Sequence, residues 1–104
     1  MRLRRNPFAD VIARQLDLFV EDEADLLEEC REKYRLYEGA DREDREEMYG
    51  DFVDVVEAAT EALADMRDRF ARTLGEDASE VYEDAFNRAV RKRWPELGLE
   101  IDNR

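Results

Sequence analysis

The sequence contains no histidine, and serine, cysteine and proline are scarce. Histidine is the commonest general base and a usual zinc ligand, so its absence excludes histidine-dependent catalysis and histidine-ligated metal centres. The one serine, Ser79, stands at a predicted helix start, where a capping role accounts for it. Cys30 is the single cysteine and can form no internal disulfide, which agrees with a reducing compartment.

Long apolar runs are also absent, so we expect no membrane span and no signal-peptide core, and we expect a cytoplasmic location. Basic residues are fewer than acidic ones: the chain has 17 Lys and Arg residues and 29 Asp and Glu residues, which gives a net charge of −12. Nucleic-acid phosphates and anionic membranes both require a basic surface. We therefore expect neither as a partner, whereas a basic partner protein would suit this charge.

Hydrophobic residues make up 43% of the 104 residues, which is enough for one folded helical domain over 1–104. Apolar side chains recur at steps of three, four or seven, and this spacing predicts an all-α fold. Gly39, Gly75 and Trp94-Pro95 are helix stops. They divide the chain into helices over about 7–38, 41–74 and 77–94, followed by a tail, 95–104, that is expected to fray.

The connection around Gly39 and Ala40 is so short that the first two helices should form a long antiparallel hairpin. The third helix is about half as long, so it should cover only the half of the hairpin near Gly75. The uncovered half would expose an apolar patch drawn from both long helices: Leu26, Leu27, Cys30, Tyr34, Tyr37, Met48 and Phe52. Because monomers rarely expose such a patch, we predict a homodimer joined there in a four-helix-bundle-like core.

Two charged residues fall on otherwise apolar helix faces, Glu23 on the first helix and Arg93 on the third. Counting residues along antiparallel helices places both near the level of Val55, where they could form a half-buried ion pair. In the alternative arrangement the helix ends splay and both charges reach water.

Carboxylates are the remaining candidates for chemistry. Glu29 and Glu32 stand three residues apart near the end of the first helix, and Asp51 and Asp54 stand three apart on the second. Oxygen-rich pairs of this kind suit Mg²⁺, which then binds phosphate oxygens. A helical chain with 29 acidic residues also produces such pairs by chance, as solvated faces that form ion pairs with Arg and Lys.

Three stretches resemble the all-α MazG-like nucleoside triphosphate pyrophosphohydrolases. They are Glu29-Cys30-Arg31-Glu32, Glu46-Glu47-Met48-Tyr49-Gly50-Asp51, and the segment from Leu74-Gly75 to Lys92-Arg93-Trp94-Pro95. The resemblance implies attack by a metal-bound water at a site built on a dimer. It also implies that Mg²⁺ is held by Glu29, Glu32, Glu47 and Asp51.

These patterns lead to two hypotheses. The favoured one is a non-enzymatic acidic helical interaction or oligomerisation module, which needs no catalytic residue and no cofactor. The alternative is a Mg²⁺-dependent nucleotide pyrophosphohydrolase, which needs the four carboxylates named above.

Overall fold

The computed structural model describes residues 6–98 and 100–104, and every regular element within them is helical. In chain order these are α1 (Ala9–Asp22), α2 (Ala24–Gly39), α3 (Arg45–Ala71), α4 (Glu76–Arg93), α5 (Pro95–Gly98) and a 3₁₀ turn at Ile101–Asn103. The all-α prediction is confirmed. None of the helices in this part of the chain combines the length and apolar character that crossing a bilayer requires.

The first predicted helix, 7–38, is wrong as a single element, because the chain kinks at Glu23. The backbone there departs from helical geometry, with φ −115° and ψ 33°. Helical hydrogen bonds nevertheless continue through it, from the Glu23 amide to Phe19 and from the Leu27 amide to Glu23. Phe19 and Leu27 are buried eight residues apart, about 80° around a straight helix. The kink therefore allows both apolar stripes to enter one core.

Helices α2 and α3 pack antiparallel. The Tyr37 ring lies 5.3 Å from that of Tyr49, and the Cys30 thiol donates to the Val55 carbonyl at 3.6 Å. Residue numbers thus rise along one helix as they fall along the other. Helix α1 leaves this pair at the kink and packs along α4.

Helices α1 and α4 run in the same direction. The ring of Phe8 meets that of Tyr82 at 5.4 Å, and further along both helices Phe19 meets Trp94 at 5.8 Å. Tyr82 is fully buried, and its hydroxyl donates a hydrogen bond to the Gln15 side-chain oxygen at 2.8 Å, so this polar group has a partner in the core. One continuous core results, and its larger members are Ile12, Leu16, Phe19, Leu27, Val56, Leu63, Tyr82, Phe86, Val90, Trp94, Leu97 and Ile101.

Residues 95–98 and 100–104, which we call the C-terminal segment, fold back over α3 and α4, so the prediction of a fraying tail is wrong for these residues. Leu97 and Ile101 are both buried, at positions four residues apart. The Thr60 hydroxyl, buried on α3, donates to Val56 and lies 3.5 Å from the Leu97 carbonyl oxygen. On the outside, Arg91 pairs with Asp102 at 2.6 Å. The segment is therefore a packed part of the domain.

Arg67 is buried on α3, with only 4% of its surface exposed, and its guanidinium holds the C-terminal segment. It donates to the backbone oxygens of Ile101 at 3.3 Å and Arg104 at 2.7 Å. It also donates to the side chains of Asn87 at 2.9 Å and Asp68 at 2.8 Å. Burying a charge is costly unless it is paired and hydrogen-bonded, and these four acceptors supply that compensation.

The Glu23–Arg93 ion pair considered above is not formed. Arg93 pairs instead with Asp17 at 3.0 Å, and its guanidinium lies 5.2 Å from the centre of the Trp94 ring. Because α1 runs alongside α4, Asp17 rather than Glu23 reaches Arg93. Arg93 is exposed and Glu23 is half-buried at the kink.

We expect Arg67→Ala to lower the free energy of unfolding by about 2–3 kcal/mol, because buried oxygens lose their donor. Urea unfolding followed by circular dichroism measures this. Arg69→Ala is the matched control, since Arg69 is exposed on the same helix, and it should change stability by less than about 0.5 kcal/mol. Equal effects of the two substitutions would contradict the role assigned to Arg67.

Candidate interaction surface

The predicted apolar patch is only partly exposed, and Leu27 and Cys30 must be removed from it. Both residues are buried within the single chain, and Pro95 and Glu96 of the C-terminal segment, which was predicted to be free, lie beside Cys30. Leu26 is half-buried and packs against the core. What stays open is the end of the hairpin beyond α5.

The open part of the hairpin, which we call the tip surface, is apolar and mainly aromatic. Its members are Tyr34, Tyr37, Met48, Tyr49, Phe52 and Val53. Tyr34 is 44% exposed and Tyr49 is 50% exposed, whereas the other members are half-buried. Phe52 also packs against the core. The tip surface is therefore continuous with the interior at one end and open to water at the other.

The four rings of the tip surface support one another across the α2–α3 seam. Tyr34 lies 5.3 Å from Phe52, and Tyr37 lies 5.3 Å from Tyr49. Tyr37 and Phe52 are nearly parallel, with 7° between their planes and 6.5 Å between their centres. Such contacts hold the rings in fixed positions, so an approaching surface would bind them with little loss of side-chain freedom.

Two grooves border the tip surface where it meets α5, and Glu96 lines both. The groove on the α2 side has a volume of about 570 Å³ and is lined by Cys30, Arg31, Tyr34, Arg35, Pro95 and Glu96. The groove on the α3 side is smaller, about 90 Å³, and is lined by Tyr49, Phe52, Val53, Val56, Glu57, Glu96 and Glu100. The α3-side groove thus has an apolar floor and three carboxylates.

Charged side chains border both ends of the tip surface. At the end of the hairpin the Arg45 guanidinium lies 5.3 Å from the centre of the Tyr37 ring. The neighbouring Asp41 carboxylate accepts a hydrogen bond from the Asp44 backbone amide at 3.1 Å, just before the start of α3. At the α5 end, Glu96 and the other carboxylates of the α3-side groove are exposed. Both ends therefore carry charges of both signs, because Arg45 stands among the exposed carboxylates of residues 41–47 and two arginines, Arg31 and Arg35, line the α2-side groove beside Glu96.

The thiol of Cys30 is unsuited to nucleophilic chemistry. Burial, reinforced by the negative charge of Glu29, raises its pKa from 9.0 to about 11. At neutral pH the group is therefore a protonated thiol. Nearby, a hydrogen bond with Glu38 raises the pKa of Tyr34 above its ordinary value, so this hydroxyl is also neutral. Neither the Cys30 thiol nor the Tyr34 hydroxyl is therefore ionised at neutral pH.

The carboxylates that the MazG-like resemblance assigns to Mg²⁺ are not brought together as a ligand set. Within the described residues, no three His, Cys, Asp or Glu side chains are grouped closely enough to hold a metal ion. Glu29, Glu32 and Glu47 are exposed and Asp51 is half-buried. Glu32 forms an ion pair with Arg35 at 2.9 Å. The described part of the single chain therefore does not gather these four carboxylates at one site.

Comparisons with models of protein families, with curated proteins and with solved structures found no match to this chain. They neither support nor contradict the MazG-like resemblance.

Sequence reasoning missed Tyr49, Val53 and Glu96 as members or neighbours of this surface. Tyr49 and Val53 each follow a residue of the predicted stripe, so a wider stripe on the second helix would have included them. The position of Glu96 beside the tip surface could have been predicted only if the C-terminal segment had been predicted to pack on the hairpin. The spacing of Leu97 and Ile101 by one helical turn was the available signal.

We expect Cys30 to react with iodoacetamide at pH 8 about 100-fold more slowly in the folded chain than in urea. The two-unit rise in pKa lowers the thiolate fraction by that factor, and burial slows access further. Mass spectrometry at timed intervals measures the rates. Comparable rates in the folded and unfolded chain would show that the thiol is open to solvent.

Proposed function

We propose that this chain is a non-enzymatic acidic helical interaction module that forms a homodimer through the tip surface. The observation that carries the proposal is the set of tyrosine and phenylalanine rings left open at the end of the α2–α3 hairpin. Tyrosine, phenylalanine and methionine are enriched at protein interfaces, and the aromatic rings bury large areas at low entropic cost. A helical hairpin with an open apolar end is completed by a second hairpin in a four-helix arrangement.

The size of the tip surface sets the expected strength of the dimer. The exposed stretch covers only the last turns of α2 and the first turns of α3, because the C-terminal segment occupies the rest. Interfaces at the low end of the size range are weak or transient. The two acidic chains also repel each other at long range. We therefore expect association at micromolar rather than nanomolar concentrations.

The acidic exterior supports a second part of the same proposal. A net charge of −12 attracts basic surfaces and raises their rate of encounter. A homodimer doubles this charge and presents it on two sides. The module would thus suit a basic partner protein, and the tip surface would determine its oligomeric state.

Sedimentation and light scattering should show a concentration-dependent dimer in the micromolar range, and Tyr49→Glu should weaken it about tenfold or more, because the new charge would have to be desolvated. Leu18→Glu is the matched control, since Leu18 on α1 is 48% exposed and Tyr49 is 50% exposed. Circular dichroism verifies that both variants fold. A wild-type chain that stays monomeric across this range would overturn the proposal.

Incubation with Mg²⁺ and a panel of nucleoside triphosphates should release no pyrophosphate, because the four carboxylates are not gathered at one site. Glu32→Gln provides the control. Pyrophosphate release by the wild-type chain that this variant loses would establish the hydrolase alternative instead.

A further inference from the structure

We infer that the α3-side groove binds an arginine side chain of a basic partner protein. The arginine site rests on the basic partner that the proposed function includes, and it is the point at which that partner is held. It does not require the homodimer. Its chemistry follows from two independent features of the groove, the apolar floor and the sign of the charges around it.

The floor of the groove is apolar and comes from α3. Tyr49, Phe52, Val53 and Val56 lie on successive turns of one helix face, and Tyr49 is 50% exposed. Such a floor is complementary to the aliphatic part of a long side chain, and an aromatic ring also attracts a cation that lies over it. The groove volume of about 90 Å³ has room for a side chain but not for a helix.

Every charged residue that lines the groove is a carboxylate. Glu57 on α3 and Glu96 and Glu100 in the C-terminal segment are exposed, and within the described residues none of the three forms an ion pair. Exposed carboxylates alone attract any cation weakly, whereas an apolar floor alone accepts any apolar group. Together they select a group with an apolar stem and a cationic head, which is the chemistry of arginine and lysine.

The arginines nearest to the groove are engaged elsewhere. Arg45, one turn before Tyr49, lies over the Tyr37 ring on the α2 side of the seam. Arg31 and Arg35 line the α2-side groove and pair with glutamates of their own helix. In the part of the chain that the structure describes, no arginine is therefore at ion-pair distance from the three carboxylates, and the α3-side groove keeps its negative charge.

An arginine of the chain itself already binds to the same face of the domain. Arg104 pairs with Glu61 at 2.7 Å, and Glu61 follows Glu57 by one helical turn on α3. The Arg104 side chain is 24% exposed, so most of it is covered in this position. An arginine of the partner would repeat this contact one turn away, beside Glu57.

Arginine suits the groove better than lysine. Its planar guanidinium can bridge two carboxylates and stack on the Tyr49 ring, whereas the lysine ammonium is a compact and strongly hydrated charge. Because the three carboxylates are exposed to water, a single arginine should bind weakly, with a Kd of about 0.1–1 mM at low salt.

NMR titration of the nitrogen-15-labelled chain tests the site, with a short end-blocked peptide in which glycines flank one arginine as the probe. We expect the largest amide shifts at residues 49–57 of α3. A lysine peptide should bind about threefold or more weakly, and a peptide with citrulline, the neutral analogue of arginine, should not bind. Equal binding of the lysine or the citrulline peptide would overturn the assignment to arginine.

A pair of double variants separates the groove from general attraction to an acidic chain. Glu57→Gln with Glu100→Gln should weaken arginine binding about fivefold or more, because two of the three carboxylates lose their charge. Glu21→Gln with Glu80→Gln makes the same change of net charge at exposed residues outside both grooves, and it should bind like the wild type. Equal losses in the two double variants, or shifts centred elsewhere on the chain, would overturn the site.

Two further measurements keep this site distinct from the homodimer. Tyr34→Ala weakens the tip surface but leaves the lining of the α3-side groove unchanged, so it shows binding even where dimerisation covers the groove. Absence of binding in both this variant and the wild type would overturn the site. Sedimentation of the same samples reports the oligomeric state. A chain that stays monomeric and binds the arginine peptide contradicts the homodimer and supports the site.

Discussion

Arg67 carries a full charge inside the domain, and its hydrogen bonds determine where the C-terminal segment can lie. Two of its acceptors are backbone oxygens at Ile101 and Arg104, so the guanidinium is satisfied only when this segment is folded back. Leu97 and Ile101 then complete the core, and α5 covers the hairpin as far as Cys30. The limit of the tip surface and the position of Glu96 are both consequences of this one buried charge.

The all-α class and the approximate positions of the later helices could be predicted because they depend on local signals. Apolar spacing, helix-stopping glycines and Trp94-Pro95 act within a few residues of where they occur. The kink at Glu23 could not be read this way, because it depends on which direction each apolar stripe must face in the assembled core. The packing of the C-terminal segment could not be predicted for a similar reason, since its single apolar pair, Leu97 and Ile101, is too short a pattern to show which surface it meets.

Arg67 escaped prediction because an arginine in a helix of an acidic protein is normally a solvated residue. Its burial depends on acceptors 20 to 37 residues away in the sequence, which no local pattern identifies. For the candidate site, the apolar stripes correctly included Tyr34, Tyr37, Met48 and Phe52 among the residues at the open end. They also included Leu27 and Cys30, because an apolar stripe shows which residues are apolar but does not show which of them another segment of the chain buries.

The long sequence separation of the Arg67 contacts also affects the order in which the chain assembles. Contacts between α2 and α3 join residues separated by 12 to 25 positions, so they can form early. A hairpin that forms before the residues from Pro95 onward are packed leaves Cys30 and Thr60 without the neighbours that the C-terminal segment supplies. Such a hairpin exposes more apolar surface than the folded domain, and this surface favours aggregation until the C-terminal segment packs.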